Sequence, residues 1–231
     1  MATQLFTPIR GKRIRVTELD ECGRVMPTSR KIVTNGFVTV TIAAEVEDGT
    51  ETTLRRADGA LCVSELDNPS LKYLTLEIEF CQVNPSLISF LTSAIEYSAF
   101  DDDIIGMEVP EGEISGRSSF EMWTGLSGGS CTNGGQAGGY FNLPHLRSGT
   151  LGDITVDGEN AVTFTVTGAI THRLDAAARN LYPVLRDPDT GDPAIPPGPV
   201  DPLMHMQILF TELAPPPEAA QPSLYVPTPT P

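Results

Sequence analysis

Two carboxylates spaced two residues apart, Glu77 and Glu79 in Leu74-Thr-Leu-Glu-Ile-Glu-Phe-Cys81, are the first residues of this sequence with a spacing suited to chemistry. Roughly 7 Å apart along a strand, such a pair would suit cleavage of a glycosidic bond. No aromatic sugar platform accompanies them: Trp123 is the single tryptophan and aromatic residues make up 6% of the chain. Gly125-Leu-Ser-Gly-Gly129 spells a nucleophile elbow around Ser127 and follows a strand-like segment, Phe120 to Thr124. A helix should come next, and the sequence supplies a glycine loop instead. Asp187-Pro-Asp-Thr-Gly-Asp192 resembles a calcium loop, but its glycine comes one place early and Gly198 stands where a glutamate belongs, so it reads as a turn. Asp101-Asp102-Asp103 reads as a solvated acidic loop. His145, His172 and His205 lack metal-ligand spacing and read as structural. Cys22, Cys62, Cys81 and Cys131 match no zinc motif and read as buried, reduced thiols. No catalytic residue, metal or cofactor is expected.

The elements that carry these residues repeat with a period of two. In Phe37 to Glu45, Val38, Val40, Ile42 and Ala44 share one face, with Thr39, Thr41 and Ala43 on the other. In Leu74 to Cys81, Leu74, Leu76, Ile78 and Phe80 alternate with Thr75, Glu77, Glu79 and Cys81. Further strands are expected at Arg13 to Leu19, Ser119 to Thr124, Gly139 to Leu143, Asp153 to Val156, Ala161 to Thr171 and Met204 to Leu213, with a hairpin turn at 157–160. One helix is expected from Asn84 to about Tyr97. Asn84 can cap it, Pro85 suits its first turn, and Leu87, Ile88, Leu91, Ala94 and Ile95 form an apolar stripe. Many strands and one short helix indicate an all-β sandwich or barrel.

Composition limits the function classes. The 231 residues hold 30 acids against 15 bases, a net charge of −15, with 40% hydrophobic residues. That apolar content supports a core, and the acidic excess repels nucleic acid and anionic membrane surfaces. No stretch approaches a membrane span and the amino terminus lacks a secretory h-region, so synthesis and assembly in a cytoplasm, without membrane anchoring, are expected. Residues 1 to 31 carry seven bases and three acids, a charge of +4, leaving −19 on the rest. A basic end and an acidic body suit contact between identical copies. Proline clusters at 183–202 and 214–231 read as extended loop and tail rather than core, giving a domain over 1–213 and a carboxy-terminal extension over 214–231.

Several blocks, in order, closely resemble the major tail tube proteins of long-tailed, siphovirus-type actinobacterial phages. They are Arg13-Ile-Arg-Val-Thr-Glu-Leu-Asp-Glu-Cys-Gly23, Ile32-Val-Thr-Asn-Gly-Phe-Val-Thr-Val40, Leu76-Glu-Ile-Glu-Phe-Cys-Gln-Val-Asn-Pro85 and Phe120-Glu-Met-Trp-Thr-Gly125. Gly139-Tyr-Phe-Asn-Leu-Pro144, Gly152-Asp-Ile-Thr-Val156, Val162-Thr-Phe-Thr-Val-Thr-Gly168 and Met204-His-Met-Gln-Ile-Leu209 continue the register to about residue 217.

The resemblance implies a β-sandwich subunit that forms hexameric rings, the inner sheet closing across subunits. The rings stack into a tube around a tape-measure protein, bounded by tail terminator and baseplate or tip proteins, and double-stranded DNA later passes through the bore. Four strands from each of six subunits would give a backbone diameter of about 48 Å, leaving roughly 35 to 40 Å free. On that expectation Glu77 and Glu79 line the channel, with Thr39 and Thr41 as neutral neighbours. Arg10, Lys12, Arg13 and Arg15, with Glu45, Glu47, Arg55 and Arg56 of a charged loop spanning 44–72, would make contacts between rings. The alternative expectation is a virion-displayed or adhesion β-sandwich that binds a host glycan through the glycine loop 125–139.

Overall fold

The computed structural model describes residues 8–99, 103–126, 138–156, 162–173, 182–197 and 200–224. In chain order the elements are β1 (Pro8–Glu18), β2 (Arg30–Thr34), β3 (Phe37–Glu47), β4 (Glu51–Arg55), β5 (Leu61–Leu66), β6 (Ser70–Phe80), α1 (Pro85–Leu91), β7 (Ile95–Ser98) and β8 (Ile104–Glu108). There follow β9 (Arg117–Leu126), β10 (Gly138–Arg147), β11 (Thr150–Thr155), β12 (Thr163–Thr171), β13 (Leu185–Arg186), β14 (Pro193–Ala194), β15 (Gln207–Thr211) and β16 (Ala219–Leu224). Among the described residues the protein is mostly β-strand with one short helix, as its alternating segments predict. Ser127, Gly128, Gly129, Cys131, Asp101, Asp102 and the expected turn at 157–160 lie outside the described residues.

A ten-stranded antiparallel sheet runs in the order β16-β2-β1-β9-β10-β12-β6-β3, with β11 beside β12 and β15 beside β10. Its inward residues meet in one cluster: Ile14 and Val16 of β1, Ile32 of β2, Leu76, Ile78 and Phe80 of β6, Phe120 of β9, Leu143 and Leu146 of β10, and Val166 of β12. Strands far apart in the sheet order share that core, so the sheet must curl upon itself around it. On β6 the sequence alternation maps onto burial, with Leu74, Leu76, Ile78 and Phe80 buried and Glu77 exposed. On β3 a bulge between Phe37 and Thr39 resets the alternation. Phe37, Val40 and Ile42 pack against the core, whereas Val38, expected to share a face with Val40 and Ile42, is 53% exposed.

The helix closes the core. Asn84 accepts from the backbone N–H groups of Ser86 and Leu87, as its capping position predicts. Leu87, Ile88, Phe90 and Leu91 are buried, each such burial stabilising the fold by about 1.5–3 kcal/mol. The helix ends at Leu91, six residues before the expected Tyr97. Both the N–H and the hydroxyl of Thr92 donate to the carbonyl of Ile88. The carbonyls of Leu91 and Thr92 lie so close to Gly149 and Gly116 that a Cβ at either glycine would sit 2.1 Å from them. With those neighbours occupying the continuation of the helix, the chain turns out as β7, and Ile95 of the expected stripe is exposed.

Three segments read as irregular contain strands. The 44–72 segment includes the hairpin β4–β5, in register from Glu51 opposite Leu66 to Arg55 opposite Leu61. In the proline-rich stretch, β13 pairs with β14, and Val184 and Val200 are buried rather than loop-exposed. The carboxy-terminal extension supplies β16, which pairs with β2 through Ala219–Val33 and Leu224–Arg30, so it joins the domain sheet.

Candidate assembly surfaces

Four strands, β11, β12, β6 and β3, form one wing of the sheet, and its outward face is built from threonines and carboxylates. Thr39 of β3 lies opposite Glu79, which lies opposite Thr165 of β12; Thr41 lies opposite Glu77. The expected association of Thr39 and Thr41 with Glu77 and Glu79 on one face is therefore present in the register. Thr75 and Asp153 add to the polar character of the wing. Basic side chains are nearly excluded: across the four strands Lys72 is the single base, against Glu45, Glu47, Glu77, Glu79 and Asp153. Sequence reading missed the contribution of β12, although Thr163-Phe-Thr-Val-Thr167 carries the same period of two. Both outer edges of the wing, on β3 and on β11, are unpaired among the described residues. Open edges of this kind invite pairing with another chain.

Beyond the wing, β3 and β6 run on into the β4–β5 hairpin. Residues 51–66 are exposed throughout, and Leu54, Leu61, Val63 and Leu66 are between 42% and 69% exposed. A two-stranded hairpin with apolar side chains in water is marginal alone. Glu45 and Glu47 stand at its base, both exposed, while Arg55 donates to the carbonyl of Gly59 and Arg56 closes the turn through its backbone. Gly49 passes so close to Asp67 that a Cβ would lie 1.7 Å from the Asp67 carbonyl oxygen.

The basic amino-terminal strand lies elsewhere. β1 meets β3 where Gly11 lies against Phe37, the first residue of β3, whereas the hairpin follows Glu47 at the other end of that strand, so a single subunit does not bring Arg10 to Arg15 beside the hairpin. Arg10 is exposed at an irregular stretch of β1 with φ at 41°, Lys12 is half-buried, and Arg13 pairs with Glu218 at 3.1 Å. Arg15 departs from its expected place. It is 1% exposed and ion-paired with the fully buried Glu121, so it belongs to the interior of the subunit and not to a contact surface. Tyr140 donates to the other oxygen of Glu121 at 2.6 Å, and Tyr182 stacks over the Arg15 guanidinium at 4.4 Å. Burial, reinforced by the Glu121 charge, holds the Tyr140 phenol well above its usual range.

The remaining candidates resolve individually. Asp187 accepts from the N–H groups of Asp189 and Thr190, which makes its segment the expected turn. Cys22, Cys62 and Cys81 are free but exposed, where burial was expected. The three histidines cluster at one end of the sandwich, a gathering that their sequence spacing hides. Among the described residues no group of histidine, cysteine or carboxylate side chains has the arrangement of a metal site, and no helix is long and apolar enough to cross a membrane.

No known family model matches the chain, and no curated protein sequence matches it.

Proposed function

We propose that this protein is a structural virion component whose copies join edge to edge through β3 and β11, closing the four-stranded wing into a ring, and that the rings stack into a tail tube. The observation that carries the reading is that wing: an outward face of threonines and carboxylates, almost devoid of bases, flanked by two open edges. Closure pairs every edge, which removes the aggregation hazard a free edge presents. It turns an acidic face into an acidic bore, and the exposed apolar hairpin then serves as the element that the next ring covers.

The wall's chemistry suits passage of a polyanion. Charge repulsion in physiological salt decays over about 8 Å, so carboxylates keep a duplex from adhering at close approach without pushing on it from afar. A lysine in the same place would offer a phosphate a contact and release counterions, which is attraction. In this reading the further partners are a tape-measure protein during assembly, terminator and baseplate or tip proteins at the ends, and double-stranded DNA in transit. Negative-stain microscopy of the purified chain tests the reading: rings or hollow tubes are expected, and a persistent monomer at high concentration with affinity for glycans would replace it by the adhesion reading.

A further inference from the structure

His145, His172 and His205 are brought together by strand register. β10 pairs with the end of β12 through Leu146–Thr171, which sets His172 across from His145, and the His172 N–H donates to the His145 carbonyl at 3.0 Å. β10 also pairs with β15 through Asn142–Gln207, which brings His205 alongside. The rings of His145 and His172 are 5.3 Å apart, and each directs Nδ1 at the carbonyl of Arg173, at 3.2 and 3.1 Å. That carbonyl only accepts, so both Nδ1 atoms carry the proton and both Nε2 atoms face away from it. His205 is held by the hydroxyl of Thr171 at 2.8 Å.

The surroundings of this cluster are cationic. Arg147 at the end of β10 lies directly opposite Arg117 on β9. Like charges in register across a strand pair repel. Arg173 follows His172, and among the described residues none of Arg117, Arg147 and Arg173 forms an ion pair. The charges acting on His145 are His172, Arg117 and Arg147; those acting on His205 are Arg173 and His172. From the β1–β2 loop, Gly23 lies against the His145 ring, and the carboxylate of neighbouring Asp20 is committed to Arg24 and to the N–H groups of Cys22 and Arg24. Within this cluster two buried nitrogens lack a hydrogen-bond partner among the described residues: Nε2 of His145, a residue only 5% exposed, and Nε of Arg147. In a chain with twice as many acids as bases, no acid among the described residues pairs with these three histidines or with Arg117, Arg147 and Arg173.

We propose that His145, His172, Arg117 and Arg147 form a binding site for an oxyanion, filled on assembly by a carboxylate of a second copy of this chain. An oxyanion accepts from the Arg117 and Arg147 guanidiniums and neutralises their repulsion, and each histidine adds a donor at Nε2 when its ring is protonated. The second copy is indicated by charge complementarity, because residues 44–72 carry seven acids and three bases on an exposed hairpin. The identity of the donor rests on the self-assembly reading; the existence of the site does not.

The experiment uses the full chain and inorganic phosphate, with sodium chloride at matched ionic strength as the control. Phosphate is expected to raise the thermal midpoint saturably and to move the ring resonances of His145 and His172 so that His145 titrates about one pH unit higher. In Arg117→Gln/Arg147→Gln the midpoint without phosphate is expected to equal or exceed that of the wild type, and the phosphate response to vanish. No response beyond that of chloride, or an undiminished response in the double variant, overturns the site. Assembly separates the donor: wild-type tubes with loss of tubes in the double variant support a carboxylate of a second copy, and equal tubes from both overturn it. Failure of the wild type to form tubes counts against the self-assembly reading, and the phosphate titration still decides the site.

Discussion

Glu121 answers the buried Arg15 and the Tyr140 hydroxyl together. Removing one member of a buried ion pair leaves an uncompensated charge and costs about 3–5 kcal/mol, whereas losing one hydrogen bond to a charged group costs about 1.5–3 kcal/mol. Chemical denaturation is expected to place Glu121→Gln in the first range and Tyr140→Phe in the second. His145 gives stability a pH dependence. Burial comes first among the causes that hold its pKa below the usual 6.5, the charges of His172, Arg117 and Arg147 adding to it against the Arg173 carbonyl. As pH falls through 6.5 the unfolded chain takes up a proton that the folded chain refuses, so stability is lost on the acidic side and unaffected above it. The denaturation free energy of the wild type is expected to fall between pH 7 and pH 5.5 more steeply than that of His145→Asn. None of this was legible in the sequence. Arg15 sits in a basic run that reads as surface, and the three histidines look solitary until the β10 register sets them together.

The four-stranded wing and the hairpin that extends from it show where sequence reading succeeds and where it stops. The alternation of Leu74 to Phe80 carries into burial position by position, and the Thr39–Glu79 and Thr41–Glu77 partnerships follow because β3 and β6 pair with the carboxylate face turned out. The alternation of β3 mispredicts Val38, since a bulge adds a residue that period-two counting cannot detect. The helix expectation runs past Leu91 because the obstacles, Gly116 and Gly149, are distant in sequence. In the sequence the hairpin reads as a loop because its apolar residues have no core to face. Replacing residues 48–68 by a short turn is expected to leave body stability within about 0.5 kcal/mol, as for other changes at exposed positions, and to abolish stacking of rings. Gly49→Ala is the minimal version: the Asp67 carbonyl must move, and assembly is expected to weaken with the body unchanged.

At the scale of the whole molecule, the proposed association of like copies has to be reconciled with a net charge of −15. The chain separates its charge, placing carboxylates on the wing and hairpin and cations around β1 and the histidine end, so neighbours can meet with opposite signs. Charge reversal by Glu77→Lys together with Glu79→Lys is expected to leave tube formation intact and to retard genome ejection from virions; normal ejection would remove these residues from the bore. The proline-rich stretches belong to the same balance, with β16 covering the β2 edge and leaving β3 and β11 as the wing edges open for pairing. The direct measurement is a cryo-microscopy reconstruction of particles assembled from the purified chain. The account predicts hollow rings with β3 of one copy beside β11 of the next and Glu77 and Glu79 facing the axis. Carboxylates on the outer surface, or a chain that stays monomeric at every concentration, would contradict it.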